Sequence, residues 1–286
     1  MLNEITITGF SDEISPDLNR QMEVIKGLGI SHIEMRGVDG RNLTTYTCEE
    51  AKELRRRLDS QGIRLSAVGS PVGKARIEDA FEPHMELFKH TAELAHIMGT
   101  DKIRIFSFFV PEGKDPELFW GQVEERTGRM VEYAAREGLL LLHENEKAIY
   151  GDMACRCRKL MDTFYGPHYQ CVFDFANFVQ CGQDTLEAYE LLKPFISYVH
   201  IKDALKTDGS VVPAGMGDGH VAKILEMLDQ AGYQGYLSLE PHLADFKGFA
   251  DLEKDGNIDQ GRRLTGEEAY TLAYRSLMKV LGRSEG

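Results

Sequence analysis

Four short apolar runs in the second half of the chain each end in a side chain that can bind a metal or move a proton. These residues are Glu144, Asp174, His200 and Glu240. Runs of this kind are typical of buried parallel strands, and the carboxyl ends of parallel strands meet at one edge of a sheet or barrel. We therefore expect the four side chains to lie together.

Three carboxylates gathered in one place repel each other, and a divalent cation between them removes that repulsion. Together with one neutral imidazole they make a ligand set that suits Mn²⁺ first, and also Mg²⁺, Co²⁺, Fe²⁺ or Zn²⁺. A single acidic residue after a strand is often only a helix cap or a surface charge. Because four consecutive predicted strands end this way, the sequence predicts one divalent metal site.

The alternation of side chains along a strand places two basic residues beside this cluster. Residues two apart share a face, so Lys202 points the same way as His200, and His242 the same way as Glu240. We expect Lys202 to bind a developing oxyanion or a charge on the substrate, and His242 to fix a hydroxyl or a phosphate. As an alternative, Lys202 pairs only with its neighbour Asp203.

The second predicted strand also ends in charged residues. Glu34 and Arg36 share one face there, and we expect both to contact the substrate. His143 lies on the opposite face from Glu144, so we expect it to pack towards the helices or to support the ligands from behind.

Strand and helix patterns alternate along the chain, which predicts an α/β fold, a (β/α)₈ TIM barrel in one domain over residues 1–286. The predicted strands cover residues 5–9, 31–36, 63–68, 102–106, 139–144, 171–174, 195–200 and 236–240. The predicted helices cover residues 17–28, 48–60, 83–98, 116–137, 153–164, 186–192, 221–231 and 266–280. Glycines between a helix and the next strand predict left-handed helix ends; they are Gly29, Gly62, Gly99, Gly138 and Gly232.

Two long loops, at 207–219 and 241–265, follow the last two predicted strands and would lie on the face of the metal site. The first contains a Gly-Met-Gly-Asp-Gly run at 215–219, which is not a nucleotide-binding motif. The N-terminus of the next helix can still meet an anion such as a sugar phosphate. Alternatively, Asp218 only caps that helix.

Composition disfavours several classes of function. The net charge of −13 argues against nucleic acid as a partner, and no apolar run is long enough to cross a membrane. The N-terminus lacks the basic and apolar segments of a signal peptide. Five cysteines without paired spacing indicate reduced thiols. We expect a cytoplasmic protein.

Around the four candidate ligands the chain resembles the sugar phosphate isomerase/epimerase family, within the xylose isomerase-like TIM barrel superfamily. The matching motifs are His143-Glu144-Asn145, Asp174-Phe-Ala-Asn177, Val199-His200-Ile-Lys202-Asp203 and the run at 232–240. The resemblance covers nearly the whole chain. It implies a small sugar or polyol substrate, dimers or tetramers, and one divalent metal held by Glu144, Asp174, His200 and Glu240.

We expect a metal-dependent isomerase or epimerase of a sugar or sugar phosphate, which transfers a proton at a carbon next to a carbonyl. The metal would polarise the carbonyl and stabilise an enediolate. Glu144 and Glu240 would act as the two bases, one removing the proton and the other returning it. Asn177, expected at the substrate, stands where some epimerases of the group have His, which argues against a ketose 3-epimerase.

Three alternatives stay open. The same proton abstraction followed by loss of water would make a dehydratase of a keto-polyol such as a keto-inositol. A phosphodiesterase like endonuclease IV would hold three zinc ions with many more histidines than the nine present. A sugar-binding barrel without catalysis is compatible with the fold.

Overall fold

Eight parallel strands form the centre of the protein in a computed structural model that describes residues 2, 4–243 and 263–283. The strands are β1 (Thr6–Gly9), β2 (His32–Met35), β3 (Arg64–Gly69), β4 (Lys102–Ile105), β5 (Leu140–Glu144), β6 (Tyr169–Asp174), β7 (Ile196–Ile201) and β8 (Tyr236–Leu239). Their order in the sheet is β1-β8-β7-β6-β5-β4-β3-β2, and β1 also lies against β2. The sheet is thus a nearly closed barrel, and the predicted fold is confirmed.

Helices surround this barrel. They are α1 (Leu18–Gly27), α2 (Cys48–Ser60), α3 (Glu82–Met98), α4 (Trp120–Glu137), α5 (Ala154–Phe164), α6 (Phe175–Gln180), α7 (Thr185–Leu192), α8 (Val221–Gln230) and α9 (Gly266–Val280). The predicted helix at 116–137 divides into a 3-10 turn, Pro116–Phe119, followed by α4. In the described part of the chain, no helix is long and apolar enough to span a bilayer.

Helix α6 was not predicted, and its burial explains why. Residues 175–179 are all buried, so the sequence has no polar face and no helical period to recognise. The helix begins because the carboxylate of Asp174 accepts a hydrogen bond from the backbone N–H of Asn177 at 2.7 Å. This N-cap also holds the Asp174 side chain at the end of β6.

The predicted glycines lie at the C-terminal ends of their helices. All five have positive φ angles between 69° and 76°, a conformation that suits glycine because it has no Cβ. Two helices start with a capping box: Thr47 with Glu50 in α2, and Thr265 with Glu268 in α9. Local chemistry therefore sets most of the element boundaries.

Inside the barrel, an apolar layer fills the space beneath the carboxyl ends of the strands. It consists of Ala67, Leu142, Val172 and Tyr198, with Leu140 and Tyr236 packed against it. Residues two apart on a strand share a face. Glu144 therefore points into the barrel like Leu142, and His200 like Tyr198. The same alternation that fills the barrel therefore turns the polar residues inward at its mouth.

Two long loops follow the last two strands, β7 and β8. Val211–Val212 pairs antiparallel with Asp203–Ala204 and turns the 207–219 loop into a hairpin. The predicted loop at 241–265, with Phe246 and Phe249, lies mostly outside the described residues. All five cysteines are free thiols, as predicted.

His84 in the first turn of α3 links this helix to the β3–α3 loop. Its Nε2 accepts a hydrogen bond from the backbone N–H of Gly73 at 2.7 Å. Burial lowers the pKa of His84, and the nearby charge of Arg126 lowers it further. The unfolded chain therefore takes up a proton near the ordinary pKa of 6.5, whereas the folded protein takes it up only at lower pH.

We expect the free energy of unfolding to fall as the pH drops below about 6.5, because protonation of His84 favours the unfolded chain. A His84→Gln variant keeps an acceptor for Gly73 without the titration, so its stability should fall less between about pH 7 and about pH 5. Denaturant unfolding at several pH values measures this. His96→Gln, at an exposed position of α3, should follow the parent, and parallel curves for the parent and His84→Gln would contradict the prediction.

Candidate metal centre

The four predicted ligands meet at the carboxyl end of the barrel. Glu144 ends β5, Asp174 ends β6, His200 lies in β7 and Glu240 directly follows β8. All four are buried, and one donor atom of each lies within 4.8 Å of the others. Nδ1 of His200 is 3.2 Å from Glu144 Oε1, 3.6 Å from Glu240 Oε2 and 3.8 Å from Asp174 Oδ2. One imidazole nitrogen therefore faces three carboxylates.

The donor atoms of this cluster fit a divalent cation. Oε2 of Glu144, Oδ2 of Asp174 and Nδ1 of His200 are buried and make no hydrogen bond of normal geometry among the described residues. Arg104 and Lys202 contact the two carboxylate oxygens only as ion pairs. Buried polar atoms that lack hydrogen bonds destabilise a fold, and here three of them share one space. Carboxylate oxygens with one imidazole nitrogen form a set that divalent metal ions accept.

The carboxylates also draw protons onto the cluster. Burial raises the pKa of Asp174 to about 7; Lys202 opposes this effect, while the charges of Glu240 and Glu144 add to it. Burial disfavours the charged form of His200, but Glu144 and Glu34 raise its pKa well above the ordinary value. A metal ion binds in place of such protons.

Lys202 supplies a fixed positive charge at the cluster. Its Nζ lies 2.7 Å from Glu240 Oε2 and 3.1 Å from Asp174 Oδ2. Burial lowers the pKa of Lys202, but these two carboxylates more than offset that effect and raise it. Burial raises the pKa of Glu240, whereas Lys202 and His200 bring it well below its ordinary value. The alternative in which Lys202 pairs only with Asp203 is wrong.

Asp203 instead organises the glycine-rich loop. Its buried carboxylate accepts backbone hydrogen bonds of 2.9–3.0 Å from Gly215, Gly217 and Gly219. The N–H groups of the three glycines are thus used by an internal carboxylate and not by a substrate phosphate. The alternative in which Asp218 caps the next helix is wrong, because His220 is the N-cap of α8.

Glu34 lies beneath the cluster, where it holds His200. Its Oε2 is 3.1 Å from Nε2 of His200 and accepts a hydrogen bond of 2.6 Å from Ser238. Glu34 has no exposed surface, so the expectation that it contacts substrate does not fit the structure. A carboxylate on Nε2 fixes the ring and leaves Nδ1 directed at the other three carboxylates.

Asn177 also supports the ligands from its place in α6. Its side-chain amide donates hydrogen bonds to Glu144 Oε1 at 3.1 Å and to the carbonyl of Asn145 at 2.9 Å. Asn145 in turn exchanges two hydrogen bonds of 3.0 Å with the backbone of Asp174. These contacts tie β5 to β6, and the contact of Asn177 with substrate stays a prediction.

Arg104 belongs to the site and was not predicted. Its Nη1 lies 3.3 Å from Glu144 Oε2 and its Nε lies 3.9 Å from Glu34 Oε1, while its guanidinium lies over the Phe106 ring. Burial raises the pKa of Glu144, but His200 and Arg104 together lower it to about 2. The feature of the sequence that could have revealed it is an arginine within the apolar strand β4, because a buried charge needs a partner.

The rim of the site carries Arg36 and His242. Arg36 is hydrogen-bonded to Asp12 at 2.8 Å, and its Nη1 lies 3.8 Å from Glu240 Oε1. His242 is 43% exposed at its side chain, with Nε2 3.2 Å from Glu13 and 3.5 Å from Glu240. Asp12 and Glu13, which follow β1, were missed by the sequence reasoning. Both basic residues are thus placed at the mouth, and their contact with substrate stays a prediction.

His143 points away from the cluster, as its position on the other face of β5 predicted. It is fully buried and stacks on Tyr169 with ring centroids 6.0 Å apart. Burial lowers the pKa of His143 to about 4. It is therefore a neutral side chain packed between the barrel and its helices.

Comparison with known proteins places this chain in a family. A family model described as a xylose isomerase-like TIM barrel matches residues 22–267. A 3-dehydroshikimate dehydratase from Bacillus anthracis is 22% identical over 185 residues, which cover 63% of this chain. The match spans 64% of that relative's length, slightly less than two thirds.

Solved structures share the fold. The IOLI protein with a bound zinc atom has a TM-score of 0.77 at 16% identity, covering 97% of this chain and 98% of its own. A 3-keto-D-glucoside 4-epimerase from E. coli, in its apo form, has a TM-score of 0.67 at 16% identity, with 98% and 99% coverage. At these identities the likeness concerns the fold alone.

A Glu34→Gln variant tests how His200 is held. The amide keeps the size of the side chain but removes the negative charge opposite Nε2, so we expect divalent metal affinity to fall about 10–100-fold. Isothermal titration with Mn²⁺ and Zn²⁺ measures this. Glu187→Gln, on the exposed side of α7, is the control and should bind like the parent. Equal affinity in Glu34→Gln and the parent would exclude the orienting role.

Proposed function

The chain belongs to the xylose isomerase-like TIM barrel family, and from this premise we propose that it is a metal-dependent isomerase or epimerase of a small sugar, sugar phosphate or polyol. Glu144, Asp174, His200 and Glu240 would hold one divalent cation, with Mn²⁺ as the first choice. The observation that carries the proposal is the convergence of these four buried donors within 4.8 Å. A binding protein without chemistry has no need for such a crowded set of carboxylates.

When bound, the cation supplies Lewis-acid polarisation of a substrate carbonyl, which acidifies the neighbouring C–H bond. Glu144 and Glu240 lie on different walls of the barrel mouth, at the ends of β5 and β8. One carboxylate would take the proton from the substrate carbon, and the other would return it to the same or the adjacent carbon. The positive charges of Arg104 and Lys202 beside them keep both carboxylates ionised for this task.

Lys202 and His242 would bind the oxygen atoms of the substrate. Nζ of Lys202 is buried against Glu240, so a charge-assisted hydrogen bond from it to a developing oxyanion would act in a site shielded from water. His242 lies at the exposed rim on the other carboxylate oxygen of Glu240. Together with Arg36, it would contact the hydroxyls or the phosphate at the outer end of the substrate.

A dehydratase is the second candidate, supported by the likeness to the 3-dehydroshikimate dehydratase of B. anthracis. The first step, proton abstraction, would be the same. In the second step an acid would protonate the departing hydroxyl, whereas an isomerase would return the proton to carbon. His242 suits this step: burial lowers its pKa, but the hydrogen bond to Glu13 and the charge of Glu240 raise it above the ordinary value. A keto-polyol ring would be the corresponding substrate class.

Metal content and proton exchange test the proposal together. We expect about one divalent ion per chain at the barrel mouth, lost in Glu240→Ala, because the cluster then lacks a carboxylate. Incubation in D₂O with a panel of ketoses and keto-inositols should place deuterium next to a carbonyl, as read by NMR. The product decides between isomerase and dehydratase. Absence of both the ion and the exchange would refute the proposal.

The two-base scheme predicts a further result. Glu144→Gln and Glu240→Gln each keep an oxygen donor but lose the base, so turnover should fall about 10²–10⁴-fold. Steady-state kinetics on the substrate found by exchange measures this, with metal content determined on the same samples. Glu187→Gln is again the control. Full turnover in a metal-loaded Glu144→Gln or Glu240→Gln protein would exclude that residue as a base.

A further inference from the structure

A second group of metal-binding side chains lies on the outer helix layer, between α2 and α3. Cys48 is the first residue of α2, while His90 and Glu93 lie on α3. One donor atom from each residue lies within 4.8 Å of the others. His90 and Glu93 are three residues apart, so they project from the same face of the helix. Sulfur, nitrogen and oxygen donors from two helices thus meet in one place.

A hydrogen bond prepares the imidazole of His90 for metal binding. Nε2 of His90 lies 2.8 Å from the carbonyl oxygen of Tyr46. A carbonyl only accepts, so Nε2 carries the proton and Nδ1 keeps the lone pair that a metal needs. Ligating histidines in proteins are held in this way, through a hydrogen bond from the other ring nitrogen. The donor atoms of Cys48 and Glu93 lie within 4.8 Å of each other, so one cation could contact both.

The surroundings leave room for a cation. A surface groove of about 620 Å³ adjoins the three residues and extends to Tyr133 of α4. The two lysines at this groove are paired elsewhere, Lys52 with Glu49 at 2.6 Å and Lys89 with Glu86 at 2.7 Å. Neither of these ion pairs involves Glu93, so neither lysine uses the Glu93 carboxylate as its salt-bridge partner.

We propose that Cys48, His90 and Glu93 form a Zn²⁺ site on the outside of the barrel, with a fourth position open to the groove. Three protein ligands and one open position are a common arrangement for zinc. The thiolate favours zinc over Mg²⁺ and Mn²⁺, which prefer oxygen donors. The site would also connect α2 to α3. It is independent of the barrel cluster, which contains no sulfur.

Cobalt substitution tests this site in the full-length protein. A Co²⁺ ion with a thiolate ligand gives a sulfur-to-metal charge-transfer band in the near ultraviolet, and the barrel cluster cannot produce one. We expect the band in the parent, its loss in Cys48→Ser, and at least tenfold weaker Co²⁺ binding in Glu93→Gln. Cys155→Ser removes an exposed cysteine elsewhere and should keep the band. Added Zn²⁺ should displace it.

The Glu240→Ala variant separates this proposal from the proposed function. It lacks a ligand of the barrel cluster, so it should bind one Co²⁺ fewer and retain the charge-transfer band. Circular dichroism should show that Cys48→Ser is folded. Zn²⁺ should raise the melting temperature of Glu240→Ala, but not that of the double variant Glu240→Ala with Cys48→Ser. No band in the parent at saturating Co²⁺, or a band that survives in Cys48→Ser, would overturn the proposal.

Discussion

Repulsion among three buried carboxylates is the constraint around which the mouth of this barrel is built. Glu144, Asp174 and Glu240 face one nitrogen of His200 across 3.2–3.8 Å, in a place where water does not screen them. Two buried cations partly offset the repulsion, Lys202 on one side and Arg104 on the other. A divalent ion would complete the neutralisation, and the same concentration of charge would make the site able to move protons.

The supporting residues show how such a cluster stays in place. Glu34 holds His200 from below, and Asn145 with Asn177 binds the ends of β5 and β6 together. None of these contacts requires a substrate. Each fixes the direction of a ligand, as preorganised sites require. Beneath them the apolar layer around Leu142 and Tyr198 fills the barrel.

The loops differ in what they contribute. The hairpin after β7 is shaped by Asp203, whose carboxylate gathers the N–H groups of three glycines. In sequence this glycine-rich loop resembles an anion site, but its three glycine N–H groups are bound by the Asp203 carboxylate. The outer helices contain a separate group of donor side chains, Cys48, His90 and Glu93, which also converge from two elements.

The sequence alone determined the fold and the carboxyl ends of the eight strands to within one residue, because apolar period, helix caps and glycine C-caps are local signals. It also determined which four residues could bind a metal. Only the tertiary structure decided which residues contact these four. It placed Glu34 behind His200, paired Lys202 with Glu240 and Asp174, and added Arg104 to the site. Helix α6 escaped prediction because it has no polar face. These outcomes depend on contacts between residues far apart in the chain, on which no local pattern reports.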